Sequence, residues 1–151
     1  LLKLRLAQEN DLAGILRLYT HLNNNSLPVI DRNVKEVWKN ILCDNNRHTI
    51  IACDDDSVVA SATLFINQSL VQGQRPFALV EYVVTHPNYR GQGLAKKLLN
   101  KALDIAQENN CYKIMLVTGQ SDERVHNLYQ KMGYKSQGKT AYVKELEERL
   151  Y

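Results

Sequence analysis

Apolar and polar positions alternate, switch to helical spacing, and alternate again. Residues 2–7 alternate with period two and predict a short strand. Leu12, Ile15, Leu16, Leu18, Tyr19 and Leu22 follow at helical spacing, and Asn23-Asn24-Asn25-Ser26-Leu27-Pro28 is a turn-rich stop. Asp31 suits the N-cap of a second helix with Val34, Val37, Trp38, Ile41 and Leu42. Residues 49–53 and 58–66 read as strands joined by a hairpin turn at Asp54-Asp55-Asp56. A loop over 67–74 leads to residues 76–85, apolar on both faces like a strand in mid-sheet. A helix over 93–107 carries Leu94, Leu98, Leu99, Leu103 and Ala106 on one face. Residues 112–118 predict a further buried strand. Ser121 is placed to cap a helix with Val125, Leu128, Tyr129 and Met132, which Gly133 ends in a left-handed conformation. Residues 140–144 predict a last strand. The order β-α-α-β-β-β-α-β-α-β predicts a mixed α/β sheet in a single domain over 1–151.

The junction between strand 76–85 and the next helix carries candidate chemistry. After Val83-Val84-Thr85-His86-Pro87-Asn88-Tyr89, the run Arg90-Gly91-Gln92-Gly93-Leu94-Ala95-Lys96 opens the helix. A helix N-terminus offers unpaired backbone N–H groups and the positive end of the helix dipole, which suit a phosphate. Gly91 and Gly93 let the backbone approach closely, Ala95 keeps the first turn small, and Arg90, Lys96 and Lys97 add charge. A P-loop would need Gly-Lys-Ser/Thr here, and a dinucleotide fingerprint would need a third glycine where Lys96 stands. A bare G-x-G is more often a simple strand-to-helix turn; the spacing Arg90-x-x-Gly93-x-Ala95 after a strand and V-x-x-H-P-x-Y reverses that preference.

Composition narrows the rest. The 151 residues are 44% hydrophobic and 23% charged, which fits a globular protein and not a disordered chain or a cysteine scaffold. Nineteen basic against sixteen acidic residues leave +3, too little to point to nucleic acid despite Lys96, Lys97 and Lys101. No apolar run approaches the ~18 residues of a membrane span. Lys3, Arg5, Glu9 and Asp11 break any signal-peptide core. Cys43, Cys53 and Cys111 are odd in number and lack C-x-x-C spacing, which predicts reduced thiols in a cytoplasmic protein and no metal site.

Three blocks in order, V-E-Y-V-V-T-H-P-N-Y-R-G-Q-G-L-A, C-Y-K-I-M-L and N-L-Y-Q-K-M-G-Y, resemble the GCN5-related N-acetyltransferase (GNAT) family, whose signature is Arg/Gln-x-x-Gly-x-Gly/Ala at a helix start. The C-Y-K-I block and the acidic residue in V-E-Y-V-V are similar to the glucosamine-phosphate acetyltransferase branch and its small bacterial relatives. The resemblance implies a mixed, mostly antiparallel sheet flanked by helices and splayed between its fourth and fifth strands, with the pantetheine arm of acetyl-CoA in the opening. It implies that Val83 and Val84 bond that arm. The backbone of Arg90, Gly91, Gln92, Gly93, Leu94, Ala95 and Lys96 would hold the pyrophosphate, with Asn127, Tyr129 and Lys131 flanking the cofactor. Asp122 stands where many members carry Asn. A homodimer is compatible with the resemblance.

Acetyl transfer asks for an amine that has lost a proton, a donor for the oxyanion and a proton for the departing sulfur. Glu81 is the candidate base. Strict alternation puts it on a face with Phe77, Leu79 and Val83, where a charge is expensive unless solvated or paired; the structural alternative is a carboxylate paired with Arg75 or with a lysine at the sheet's end. The Val83 amide suits the oxyanion. Tyr129, which spacing alone would place in the core, takes the role of acid through the resemblance. Cys53 and Cys111 read as inert thiols, and His86 as a turn residue. Segments 23–30 and 67–75, with Tyr142, are expected around a small-molecule amine. A protein or peptide amine, and an acetyl-CoA-binding module without catalysis, are the alternatives.

Overall fold

Alternation produces one five-stranded sheet. In a computed structural model, which describes residues 1–22, 25–119 and 121–149, β1 (Leu2–Leu6), β2 (Arg47–Asp54), β3 (Ser57–Asn67), β4 (Phe77–Thr85) and β5 (Ile114–Leu116) lie side by side in chain order. Neighbours are antiparallel except β4 and β5, which are parallel. The β2–β3 hairpin turns at Asp55-Asp56, with Asp55 left-handed at φ 49°. A short polar side chain tolerates that conformation.

The helices are α1 (Leu12–Tyr19), α2 (Arg32–Cys43), α3 (Leu94–Glu108) and α4 (Glu123–Lys131). Asp31 caps α2 as expected, accepting the Val34 N–H at 2.9 Å. Trp38 on α2 donates its indole N–H to the Glu9 carbonyl at 3.1 Å. It packs with Ile15 of α1 and with Ile51 and Cys53 of β2. Arg5 and Asp11 pair through two hydrogen bonds of 2.6 and 2.9 Å, which pin the 3-10 turn Glu9–Asp11 ahead of α1. The guanidinium holds the Asp11 carboxyl below its ordinary range.

α1 and α2 therefore cover the sheet face that carries Ile51. Ile50, Ala52, Ala60, Ala62, Leu64, Ala78 and Val80 are buried too, at the alternate positions. α3 packs across β2, β3 and β4 with Leu94, Leu98, Leu99, Ala102, Ile105 and Ala106 buried. The four alanines let a helix axis come close on that face. Leu103, expected in the buried stripe of α3, is only half-buried.

The contacts divide the described chain into two compact units. The first, Leu1–Leu116, holds the sheet with α1, α2 and α3; the second begins at Val117 and holds α4. No helix among the described residues is long and apolar enough to cross a membrane.

Several boundaries differ from expectation. α1 stops at Tyr19, and His21 and Leu22 close it with i→i+3 bonds of 3.1 and 2.9 Å, the tightening common at helix ends. Asn23 and Asn24 of the predicted turn lie outside the described residues. β5 has three residues, not seven. The strand expected at 140–144 is not formed: described residues 132–149 contain no helix or strand. Tyr142 and Val143 are exposed, and an apolar pair without a ladder partner or a face to bury does not make a strand.

Candidate active site

β4 positions the first group of candidate residues through an irregularity. Thr63 lies opposite Glu81 and Ser61 opposite Val84, so Tyr82 and Val83 together face the single residue Ala62. This is a β-bulge. Tyr82 supplies the kink at φ 57°, a conformation costing a non-glycine residue about 1–2 kcal/mol. Its ring lies 6.1 Å from Tyr19 and 6.3 Å from Phe65, contacts that hold it there.

The bulge corrects the face expected for Glu81. Each residue inserted into a strand exchanges its two faces beyond that point. Glu81 therefore shares its face with Val84 and not with Val83, and the register continues that face through Thr63, Ser61 and Ile51 to the side covered by α1 and α2. The Ser61 and Thr63 side chains are fully buried there. Glu81 is half-buried, and among the described residues no ion pair involves it. Arg75 is not its partner, because its guanidinium donates to the carbonyls of Asn110 and Cys111, each at 3.1 Å.

On its other edge, β4 pairs with β5 only from Ala78 to Val80. The ladder stops at Val80 opposite Leu116, so Glu81, Tyr82, Val83, Val84 and Thr85 extend past it on that edge. β5 itself ends at Leu116, which leaves this stretch of β4 without a β5 partner.

Beyond β4 the chain turns through the 3-10 segment Pro87–Tyr89. His86 accepts the Asn88 N–H on Nδ1 at 3.2 Å and stacks edge-on against His21 and Tyr89, which fits a turn-forming role. The Tyr89 hydroxyl donates to Asp54 at 2.9 Å, tying the turn to the β2–β3 hairpin. Arg90 donates from Nε to the Thr85 carbonyl at 3.3 Å. Gly91 and Gly93 are left-handed at φ 75° and 74°, and a Cβ on either would meet nothing within 4 Å. Backbone conformation, more than crowding by this protein, calls for glycine there.

Gly93 is the N-cap of α3 and gives it no side-chain hydrogen bond. The first intrahelical acceptor is the Gly93 carbonyl, which takes the Lys97 N–H at 3.1 Å. The amides of Leu94, Ala95 and Lys96 thus precede any intrahelical partner. The first turn has no acidic residue, and Lys96 and Lys97 are exposed beside it. Basic residues at the positive end of a helix dipole oppose helix stability and favour a bound anion. The residues Arg90 to Lys96 thus fit a phosphate-bearing group.

The second unit carries the remaining candidates on α4. Its N-cap is Asp122 and not Ser121: the carboxylate accepts the Arg124 N–H at 2.9 Å and pairs with the Arg124 guanidinium at 3.0 Å. Asn127 and Lys131 are exposed, and Tyr129 is half-buried. Burial pushes the Tyr129 phenol above its ordinary value. Gly133 ends α4 at φ 89°, the left-handed stop expected of it.

Burial raises the Cys53 and Cys111 thiols, which disfavours the thiolate that would make either a nucleophile. Burial lowers His48. Among the described residues no group of three or more His, Cys, Asp or Glu could hold a metal ion. Of the segments expected around an acceptor, residues 25–30 are exposed, and Gln72, Gly73 and Gln74 form a loop of left-handed residues. Tyr142 is exposed. The bulge at Tyr82, the cap at Asp122 and the tie from Tyr89 to Asp54 had no distinct signal in the sequence.

A sequence model of the Acetyltransferase (GNAT) family matches residues 8–134, and the chain belongs to that family. It is an N-acetyltransferase of the GNAT type, a family that uses acetyl-CoA as co-substrate. Glucosamine 6-phosphate N-acetyltransferase of Trypanosoma brucei brucei is 30% identical over 141 residues, 89% of this chain and 90% of that protein. N-alpha-acetyltransferase 30 of Saccharomyces cerevisiae is 46% identical over 46 residues, covering 30% of this chain and 26% of that one. Among solved structures, a putative acetyltransferase from Agrobacterium tumefaciens superposes with a TM-score of 0.86 at 32% identity, covering 95% of this chain and 99% of that one.

Proposed function

We propose that the chain is one acetyltransferase domain over 1–151 that moves the acetyl group of acetyl-CoA to a primary amine of a small molecule. The observation that carries the reading is the start of α3: amides without intrahelical partners, two left-handed glycines and basic charge where a helix ordinarily places acids. Arg90, Gly91, Gln92, Gly93, Leu94, Ala95 and Lys96 would hold the pyrophosphate. Val83 and Val84, on the edge of β4 beyond its pairing with β5, would bond the pantetheine arm, with Asn127 and Lys131 flanking the nucleotide. Bound acetyl-CoA supplies an acyl group activated as a thioester. Glu81 takes a proton from the acceptor's ammonium through a water molecule, which frees the amine lone pair to attack the thioester carbon. The Val83 amide donates to the carbonyl oxygen, and Tyr129 protonates the departing sulfur.

The family match runs across both compact units, which supports a single functional domain. A small acceptor is favoured because the glucosamine 6-phosphate enzyme matches nearly the whole chain, whereas the N-alpha-acetyltransferase matches a third of it. A cytoplasmic location fits three free cysteines.

The test is a screen of primary amines with released CoA thiol as readout: phosphorylated and free amino sugars, polyamines, and peptides with free N-termini. Turnover of a small amine above every peptide is the expected result. Turnover of peptides alone would replace the small acceptor with a protein one. Tight acetyl-CoA binding without turnover of any amine, unaltered by Glu81→Gln or Tyr129→Phe, would favour a binding module.

A further inference from the structure

Tyr134 carries a hydroxyl for which packing gives no reason. Its oxygen is buried and makes no hydrogen bond among the described residues. A buried hydroxyl left unpaired weakens folding, so phenylalanine would serve better if the ring alone mattered.

The end of α4 fixes where this ring goes. The Tyr134 N–H donates to the Tyr129 carbonyl at 3.0 Å, and the Gly133 N–H donates to the Gln130 carbonyl at 3.0 Å. With Gly133 left-handed, these two bonds define a Schellman ending, which folds residue 134 back onto residue 129. The two rings meet edge to face, with centroids 6.0 Å apart and planes at 66°. The sequence L-Y-Q-K-M-G-Y thus builds a pair of phenols across four intervening positions, the last of them a glycine. Burial raises both, and a charge on Tyr129 raises Tyr134 further, as expected of neighbouring phenols.

We propose that Tyr134 is a positioning residue for Tyr129, its hydroxyl donating a hydrogen bond to the Tyr129 oxygen as that oxygen gives its proton to the departing sulfur. This rests on the reading of Tyr129 as the acid. As the carbon–sulfur bond breaks, its electron pair goes to sulfur, which takes the Tyr129 proton. The O–H electron pair stays on the Tyr129 oxygen, and the Tyr134 hydroxyl stabilises that charge while keeping its own proton. The proton released by the amine restores Tyr129 through solvent.

Tyr129→Phe, Tyr134→Phe and the double variant test this. All three keep both rings and the helix ending. Tyr134→Phe is expected to leave the melting temperature unchanged or raise it, to leave acetyl-CoA affinity unchanged by calorimetry, and to lower turnover by roughly 10–100-fold. In the Tyr129→Phe background the same change should cause no further loss. In ligand-free protein labelled with ¹³C-tyrosine, the Tyr129 phenol should titrate at higher pH in Tyr134→Phe, because the stabilised phenolate has lost its donor. Wild-type turnover in Tyr134→Phe, an undiminished loss in the Tyr129→Phe background, or an unmoved Tyr129 titration would each overturn the inference. Full turnover in Tyr129→Phe would instead overturn the acid assignment, and this inference with it.

Discussion

Two helices of this protein begin in opposite ways. α4 opens with Asp122 accepting an amide, an ion pair to Arg124, and Glu123 in the first turn. The Asp122 carboxylate satisfies an orphan N–H, Asp122 and Glu123 complement the dipole, and the Arg124 charge in the same turn is offset by its pair with Asp122. α3 opens with a glycine that gives no side-chain bond, no acid in its first turn, and lysines at Lys96 and Lys97. A helix built only for stability starts like α4. α3 keeps its amides and positive field directed outward, and in a GNAT acetyltransferase that end is where we place the pyrophosphate. α4 is expected to contribute its chemistry from its last turns, through Tyr129.

The largest expected effect tests that division on α4. Tyr129→Phe keeps the ring that meets Tyr134 and removes only the hydroxyl. Turnover should fall by roughly 10²–10⁴-fold with acetyl-CoA affinity little changed. Stopped-flow measurement of the chemical step checks it; an unchanged rate would leave Tyr129 a packing residue.

Glu81→Gln should come next. The variant cannot take a proton, so kcat/KM should fall most near neutral pH, where a free amine is almost wholly ammonium. It should recover toward wild type as pH approaches the amine's own pKa near ~10. Profiles of both proteins from about pH 6 to 10 decide it: parallel curves would make Glu81 a positioning group.

Lys96→Glu turns the start of α3 toward that of α4. An acid in the first turn should stabilise the helix by about 0.3–1 kcal/mol. The same change should weaken acetyl-CoA by roughly 10–100-fold, the worth of a charge-assisted hydrogen bond. Opposite signs in denaturant unfolding and in calorimetric titration are the expected pair of results; a variant that loses both stability and affinity would mean the lysine is structural.

Asp122→Ala should do the reverse with the smallest effect. Loss of the cap should lower the melting temperature by about 2–4 °C while acetyl-CoA affinity stays the same. Asp122→Asn should recover most of the stability, because asparagine caps equally well. A large drop in affinity with Asp122→Asn would assign Asp122 a cofactor contact in addition to its cap.

Much of this was legible in the chain because periodicity records burial. The hairpin at Asp54-Asp55-Asp56, the cap at Asp31 and the left-handed Gly133 all follow from local residue chemistry. The bulge was not legible, because Tyr82 has no glycine or proline to mark it and is held at φ 57° by rings from α1 and β3. That one residue moved Glu81 from the expected company of Val83 to that of Val84 and Thr63. Residues 140–144 failed in the other direction: the local pattern suggested a strand, but a strand exists only with a partner. At the start of α3, Gly91 and Gly93 were read as letting a ligand approach the backbone, whereas their left-handed conformation demands glycine even without a ligand.

The open start of α3 is expected to bind the pyrophosphate. Calorimetric titration of CoA and of pantetheine, which lacks the pyrophosphate, into wild type and Lys96→Glu tests it most directly. CoA is expected to bind Lys96→Glu roughly 10–100-fold more weakly than wild type, while pantetheine binds both proteins equally. Equal CoA affinity for the two proteins, or the same loss for CoA and pantetheine, would contradict it.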